Sequence, residues 1–218
     1  MTLALGTPVH ERDEAGLALA EEPERIARAC HAMALRFHRG GRLLTFGSGR
    51  SAADAAHLAV EFVHPVIVGK RALPAVSLAN DASAVSGLAR AGAFATQVRL
   101  LGRAGDIAVG ITIGDGGYDG GEVAAGLAAA HAMGMTTVAL TGAAGLGAGD
   151  GGDGGDGDGD GGDGDGGNGD GSVDHLLMAR SRDPLVTREI HMTIYHILWE
   201  LVHVFLTDPR LVAAEVSR

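Results

Sequence analysis

The 218-residue chain carries a formal charge of -10, yet eight of its aspartates fall between Asp150 and Asp170 and the remainder balances to -2, so no basic face marks it for nucleic acid. Hydrophobic residues make up 46%, enough for the core of one α/β domain over residues 1–218, and the lone Cys30 excludes a disulfide framework or a zinc site built on several thiolates. The N-terminal MTLALGTPVHERDE lacks a basic n-region, and no run is long and apolar enough to span a bilayer; the expectation is a cytoplasmic protein with no membrane contact.

From Asp13 to Phe37 the apolar positions Leu17, Leu19, Ile26, Ala29, Cys30, Met33, Ala34 and Phe37 recur near helical spacing. Residues 1–39 therefore read as one or two amphipathic helices serving oligomerisation, closed by Gly40-Gly41. Leu43 to Phe46 reads as the first strand, followed by a helix from Ser51 to about Val63. Beyond Pro65 and Pro74, Ala75 to Leu78 is a short strand, and Asp81 stands at a capping position for the next helix. Ile107 to Thr112 is a third strand, Val123 to Met133 a helix, Thr136 to Leu140 a fourth strand and Val173 to Met178 a fifth. This alternation predicts a parallel sheet covered on both faces, with ligands beyond the carboxyl ends of its strands.

From Gly149 to Gly171 every residue is Gly or Asp apart from Asn168, and residues 149–172 read as a disordered insertion because they have no apolar surface to bury. Calcium is the rival reading, but no Glu closes an EF-hand there and the apolar residue of nonapeptide repeats is missing. The last element, Thr187 to Leu206, is apolar around nearly its whole circumference. In a chain without a membrane segment, such a helix is expected between subunits. His191 and His203 are expected to serve helix packing and subunit contacts.

The most informative stretch is Arg42 to Glu61, RLLTFGSGRSAADAAHLAVE: a strand, a turn holding Gly47, Ser48 and Gly49, and a helix opening on Ser51. Backbone amides and a hydroxyl at the positive end of a helix suit an anion such as a sugar phosphate. Ser51, Asp54, His57 and Glu61 follow at spacings of three and four, so they share one face, with His57 and Glu61 a turn apart.

These residues resemble the sugar isomerase (SIS) domain family, specifically its phosphoheptose isomerase branch. The family's G-N-G-G-S-A-A-D-A-x-H-x-x-x-E pattern is matched by Gly47-Ser48-Gly49-Arg50-Ser51-Ala52-Ala53-Asp54-Ala55-Ala56-His57 and Glu61. Its C-terminal Q-E-x-H-x-x-x-x-H pattern is matched by Arg188-Glu189-Ile190-His191 and His196, with Arg188 in the Gln position. The resemblance implies a three-layer α/β/α sandwich with a five-stranded parallel, flavodoxin-like sheet, and a homotetramer interconverting a ketose phosphate and an aldose phosphate, typically sedoheptulose 7-phosphate. Glu61 would move a proton between C1 and C2, and His196 would shuttle protons at the oxygens. Gly47, Ser48, Gly49, Ser51, Asp81, Thr112 and Arg188 would meet the substrate.

Some members hold zinc at the positions of His57, Glu61, Arg188 and His196. A guanidinium only donates, so His57, Glu61 and His196 remain as a three-ligand set, and Arg188 is free to face a phosphate or to pair with Glu61. The family's second phosphate loop, S-T-S-G-N-S, becomes Thr112-Ile113-Gly114-Asp115-Gly116-Gly117 here. Two functions stay open: an aldose-ketose isomerase of sugar phosphates, and a non-catalytic SIS module that senses a sugar phosphate or scaffolds another protein, as in the branch that binds a replication initiator.

Overall fold

A computed structural model describes residues 6–80, 92–113, 119–146, 171–208 and 210. Helix α1 (Gly6–Ala20) precedes α2 (Pro23–His38), whose first-turn proline costs nothing because the helix leaves that N-H unpaired anyway. Strand β1 (Leu43–Phe46) leads into α3 (Ser51–Val63), and β2 (Ala75–Ser77) into a 3-10 turn at Leu78–Asn80. Then come α4 (Ala93–Leu101), β3 (Ile107–Ile111), α5 (Asp119–Ala132), β4 (Thr136–Thr141), β5 (His175–Met178) and α6 (Pro184–Thr207). Asp183 starts α6 by accepting from the Leu185 and Val186 amides at 2.7 and 3.2 Å.

The five strands are all parallel, in the order β2-β1-β3-β4-β5, which is the flavodoxin-like arrangement. Alternate residues of the buried strands face opposite ways. Leu43, Ile107, Val109, Ile111, Val138 and Leu140 pack with α2, α3 and α6, whereas Leu44, Phe46, Ala108 and Ala139 pack with α4 and α5. Chain order reverses between β1 and β3, so the turn after β1 lies at the topological switch point where such sheets bind ligands. No helix among the described residues is long and apolar enough to cross a membrane.

Two expectations change. Much of the apolar circumference of α6 is covered within its own chain, because α2 and α3 pack against it through Met33, Phe37, Leu58 and Phe62. His191 and His203, expected partly at subunit contacts, are likewise enclosed by their own chain. The His203 ring lies between the carbonyls of Trp199 (2.8 Å) and Arg71 (3.1 Å), joining α6 to the segment before β2. The described helix after β2 begins at Ala93, behind Gly92. Asp81, its expected cap, lies outside the described residues, as does the Gly/Asp segment apart from 171 and 172.

Candidate active site

The turn after β1 is shaped by its glycines. A side chain at Gly47 would place Cβ 2.7 Å from the Ile111 carbonyl and 2.9 Å from Ser51, and Gly49 adopts a left-handed φ of 55°. The Ser51 and Ala52 amides turn back onto the carbonyls of Ser48 (3.0 Å) and Gly49 (3.4 Å), so these two first-turn donors serve the turn itself. Ser51 is buried, and the Ser48 hydroxyl is enclosed without a hydrogen-bond partner. Thr45 in β1 donates to the Ala55 carbonyl at 2.7 Å, tying α3 to the strand that feeds it. Thr112, just past β3, is fully buried, and its amide bonds the Leu140 carbonyl at 2.9 Å.

Along α3 the shared face runs from buried to open. Ser51 and Asp54 are buried, whereas the His57 and Glu61 side chains are partly exposed. Helix α6 crosses this face and brings His196 to it. His57 Nε2 stands 3.0 Å from Glu61 Oε1, and His196 Nε2 lies 4.0 Å from the same oxygen. The two imidazoles meet edge to face with centroids 5.4 Å apart. The pair on α3 and the sequence-distant His196 are thus brought into one cluster.

Arg188 does not pair with Glu61. It forms a bidentate bridge to Asp54, with Nε 2.8 Å from Oδ2 and Nη2 2.9 Å from Oδ1. The reason is reach: Asp54 lies two turns below Glu61 on α3, and Arg188 lies two turns below His196 on α6, so the crossing helices match them level for level. Its bonds to Asp54 hold the guanidinium more firmly protonated than usual.

Tyr195 is the site residue that sequence reasoning missed, having counted only as part of the apolar surface of the last helix. Its hydroxyl lies 2.8 Å from His57 Nδ1, and burial pushes the phenol up to about 12, so it remains an O-H. No spacing rule gives this contact, since 138 residues separate the two.

The donor set fits a zinc ion. His57, Glu61 and His196 offer two imidazole nitrogens and a carboxylate oxygen, all within 4.8 Å of one another. Three protein ligands with a fourth position open is the arrangement of a catalytic rather than a structural zinc. Arg188 supplies no fourth ligand.

The profile of the SIS domain family matches residues 16–142. The chain is 35% identical to the phosphoheptose isomerase of Desulfovibrio desulfuricans over 208 residues, covering 91% of this chain and 87% of that protein. Its fold is similar to the phosphoheptose isomerase structure from Neisseria gonorrhoeae, with a TM-score of 0.68, 26% identity and coverage of 92% and 98%. The Francisella tularensis phosphoheptose isomerase shares the fold at a TM-score of 0.73 and 22% identity, covering 94% of this chain and 100% of that one. A parallel sheet in this order, with a glycine turn at its switch point and a matching family profile, defines a sugar isomerase domain, and the chain belongs to the SIS domain family. Within that family it is phosphoheptose-isomerase-like in both sequence and fold.

Proposed function

We propose that the protein is an aldose-ketose isomerase of sugar phosphates, with sedoheptulose 7-phosphate or a close relative as substrate. The observation that carries this reading is Glu61 standing between two imidazoles, 3.0 Å from His57 and 4.0 Å from His196, where α3 and α6 cross. His57 engages one carboxylate oxygen and leaves the other to take the proton from one carbon of the substrate and return it to the neighbouring carbon. His196, more open than Glu61, exchanges the proton between the two substrate oxygens. The turn Gly47-Ser48-Gly49 would hold the phosphate at the switch point, with the enclosed Ser51 and Thr112 shaping the wall behind it, and Arg188, steadied by Asp54, adds positive charge nearby. His57, Glu61 and His196 would hold zinc, which when bound polarises the substrate oxygens.

Incubation with sedoheptulose 7-phosphate, followed by detection of the aldose heptose phosphate, tests the proposal. Glu61→Gln is expected to lower turnover by about 10²- to 10⁴-fold while the fold persists. No aldose from the wild-type protein would overturn it. The second reading, a non-catalytic sensor, draws on Arg188 being held by Asp54 where the resembling family has a ligating Gln. It requires that a sugar phosphate raise the melting temperature without turnover.

A further inference from the structure

Tyr195 takes no part in the proton transfers of Glu61 and His196, yet it is fully enclosed and touches the centre of the cluster. Its Oη is 2.8 Å from His57 Nδ1, while on the far side of the same ring Nε2 is 3.0 Å from Glu61 Oε1. An ionised carboxylate can only accept, so the proton in the His57-Glu61 contact belongs to Nε2. A neutral imidazole has one N-H, so Nδ1 must accept and the phenol must donate. We infer that Tyr195 is a positioning residue that fixes His57 in the Nε2-H tautomer and so directs its proton onto one oxygen of Glu61. The catalytic consequence rests on Glu61 being the base proposed above.

The surroundings support this assignment. Tyr195 and His196 are consecutive on α6, and both rings meet His57 edge to face, with centroids 5.3 and 5.4 Å away. Their own centroids are 5.0 Å apart, so the three rings hold one another and the imidazole has little freedom to turn. The phenol also suits the zinc-loaded state. With a metal on Nε2 the ring proton must sit on Nδ1, and the tyrosine oxygen would accept it, the outer partner that a ligating histidine commonly has. A phenylalanine could do neither.

The test compares wild type with Tyr195→Phe in two ways. In metal-free protein with ¹⁵N-labelled histidine, neutral His57 of the wild type should show a protonated Nε2 and a bare Nδ1, and the variant, in which Glu61 alone orients the ring, should show a measurable share of the Nδ1-H tautomer. Zinc affinity, measured by competition with a chromophoric chelator, should fall about 10- to 100-fold in the variant, the usual loss for a second partner of a ligating histidine. A wild-type His57 protonated on Nδ1 overturns the inference, as does a folded variant with unchanged tautomer and unchanged zinc affinity. Should the variant not fold, the wild-type spectrum alone decides. Absence of turnover in the wild type would defeat the proposed function, and the tautomer spectra would still judge Tyr195 separately.

Discussion

Arg188 and Asp54 show how one side chain can redirect a site. Asp54 is 4% exposed on the first turns of α3, where an unpaired carboxylate would lose its hydration with nothing in return. The fork of Arg188 satisfies both its oxygens. Replacing Arg188 with Met should cost about 1–3 kcal/mol, less than for a fully enclosed pair because Arg188 still reaches solvent. Asp54→Asn in the same background should recover part of that loss, and a double-mutant cycle read by denaturant unfolding would reveal the coupling. Additive effects would mean that the bridge contributes nothing. The level-for-level match of the two helices was not readable from spacing, which reports distance along one helix and not which residue of another will face it.

Among the elements, the unit of strand β1, its turn and helix α3 is the part most visible in the residues themselves. Its boundaries follow from the mainly apolar run Leu43–Phe46, a glycine turn and a serine, and its shared face follows from the 3.6-residue period. Gly47→Ala tests the turn: the added carbon would meet backbone and the first helical turn at under 3.0 Å, so neither neighbour can yield cheaply. Phosphate-dependent substrate binding should weaken, seen as a raised KM, together with a lowered melting temperature; an unchanged KM would separate this turn from the substrate. Helix α4 was less visible. Its nine residues open behind a left-handed Gly92 with no side-chain cap on that residue, and the Gly92 and Ala93 amides are met instead by Glu122 from α5, at 3.2 and 3.1 Å. A cap borrowed from another helix leaves no local signal.

The molecule as a whole couples stability to pH through an enclosed histidine and a half-buried one. His191 is fully enclosed, the Thr141 carbonyl lies near it without forming a hydrogen bond, and burial holds its pKa below the ordinary 6.5. Burial lowers His175 in the same sense. The folded state therefore keeps these rings neutral where the unfolded chain takes up protons. Below about pH 6.5 the unfolded state binds more protons, and stability falls with acidification until the folded pKa is reached. For one such residue the slope approaches about 1.4 kcal/mol per pH unit. His191→Phe should flatten the melting temperature between neutral pH and about pH 5 relative to the wild type, and identical slopes in the two proteins would refute the assignment.

The residues by themselves determined the parallel α/β architecture, the glycine turn and the α3 face that carries His57 and Glu61, because each depends on periodicity or turn chemistry within about twenty neighbouring positions. Only the tertiary structure decided that Arg188 belongs to Asp54, that His196 lies 4.0 Å from Glu61, and that Tyr195 holds His57. Those contacts join segments more than 130 positions apart, and they depend on the height and angle at which α6 crosses α3. That placement is set by packing against the sheet and α2, a property of the assembled core that no single stretch of sequence contains.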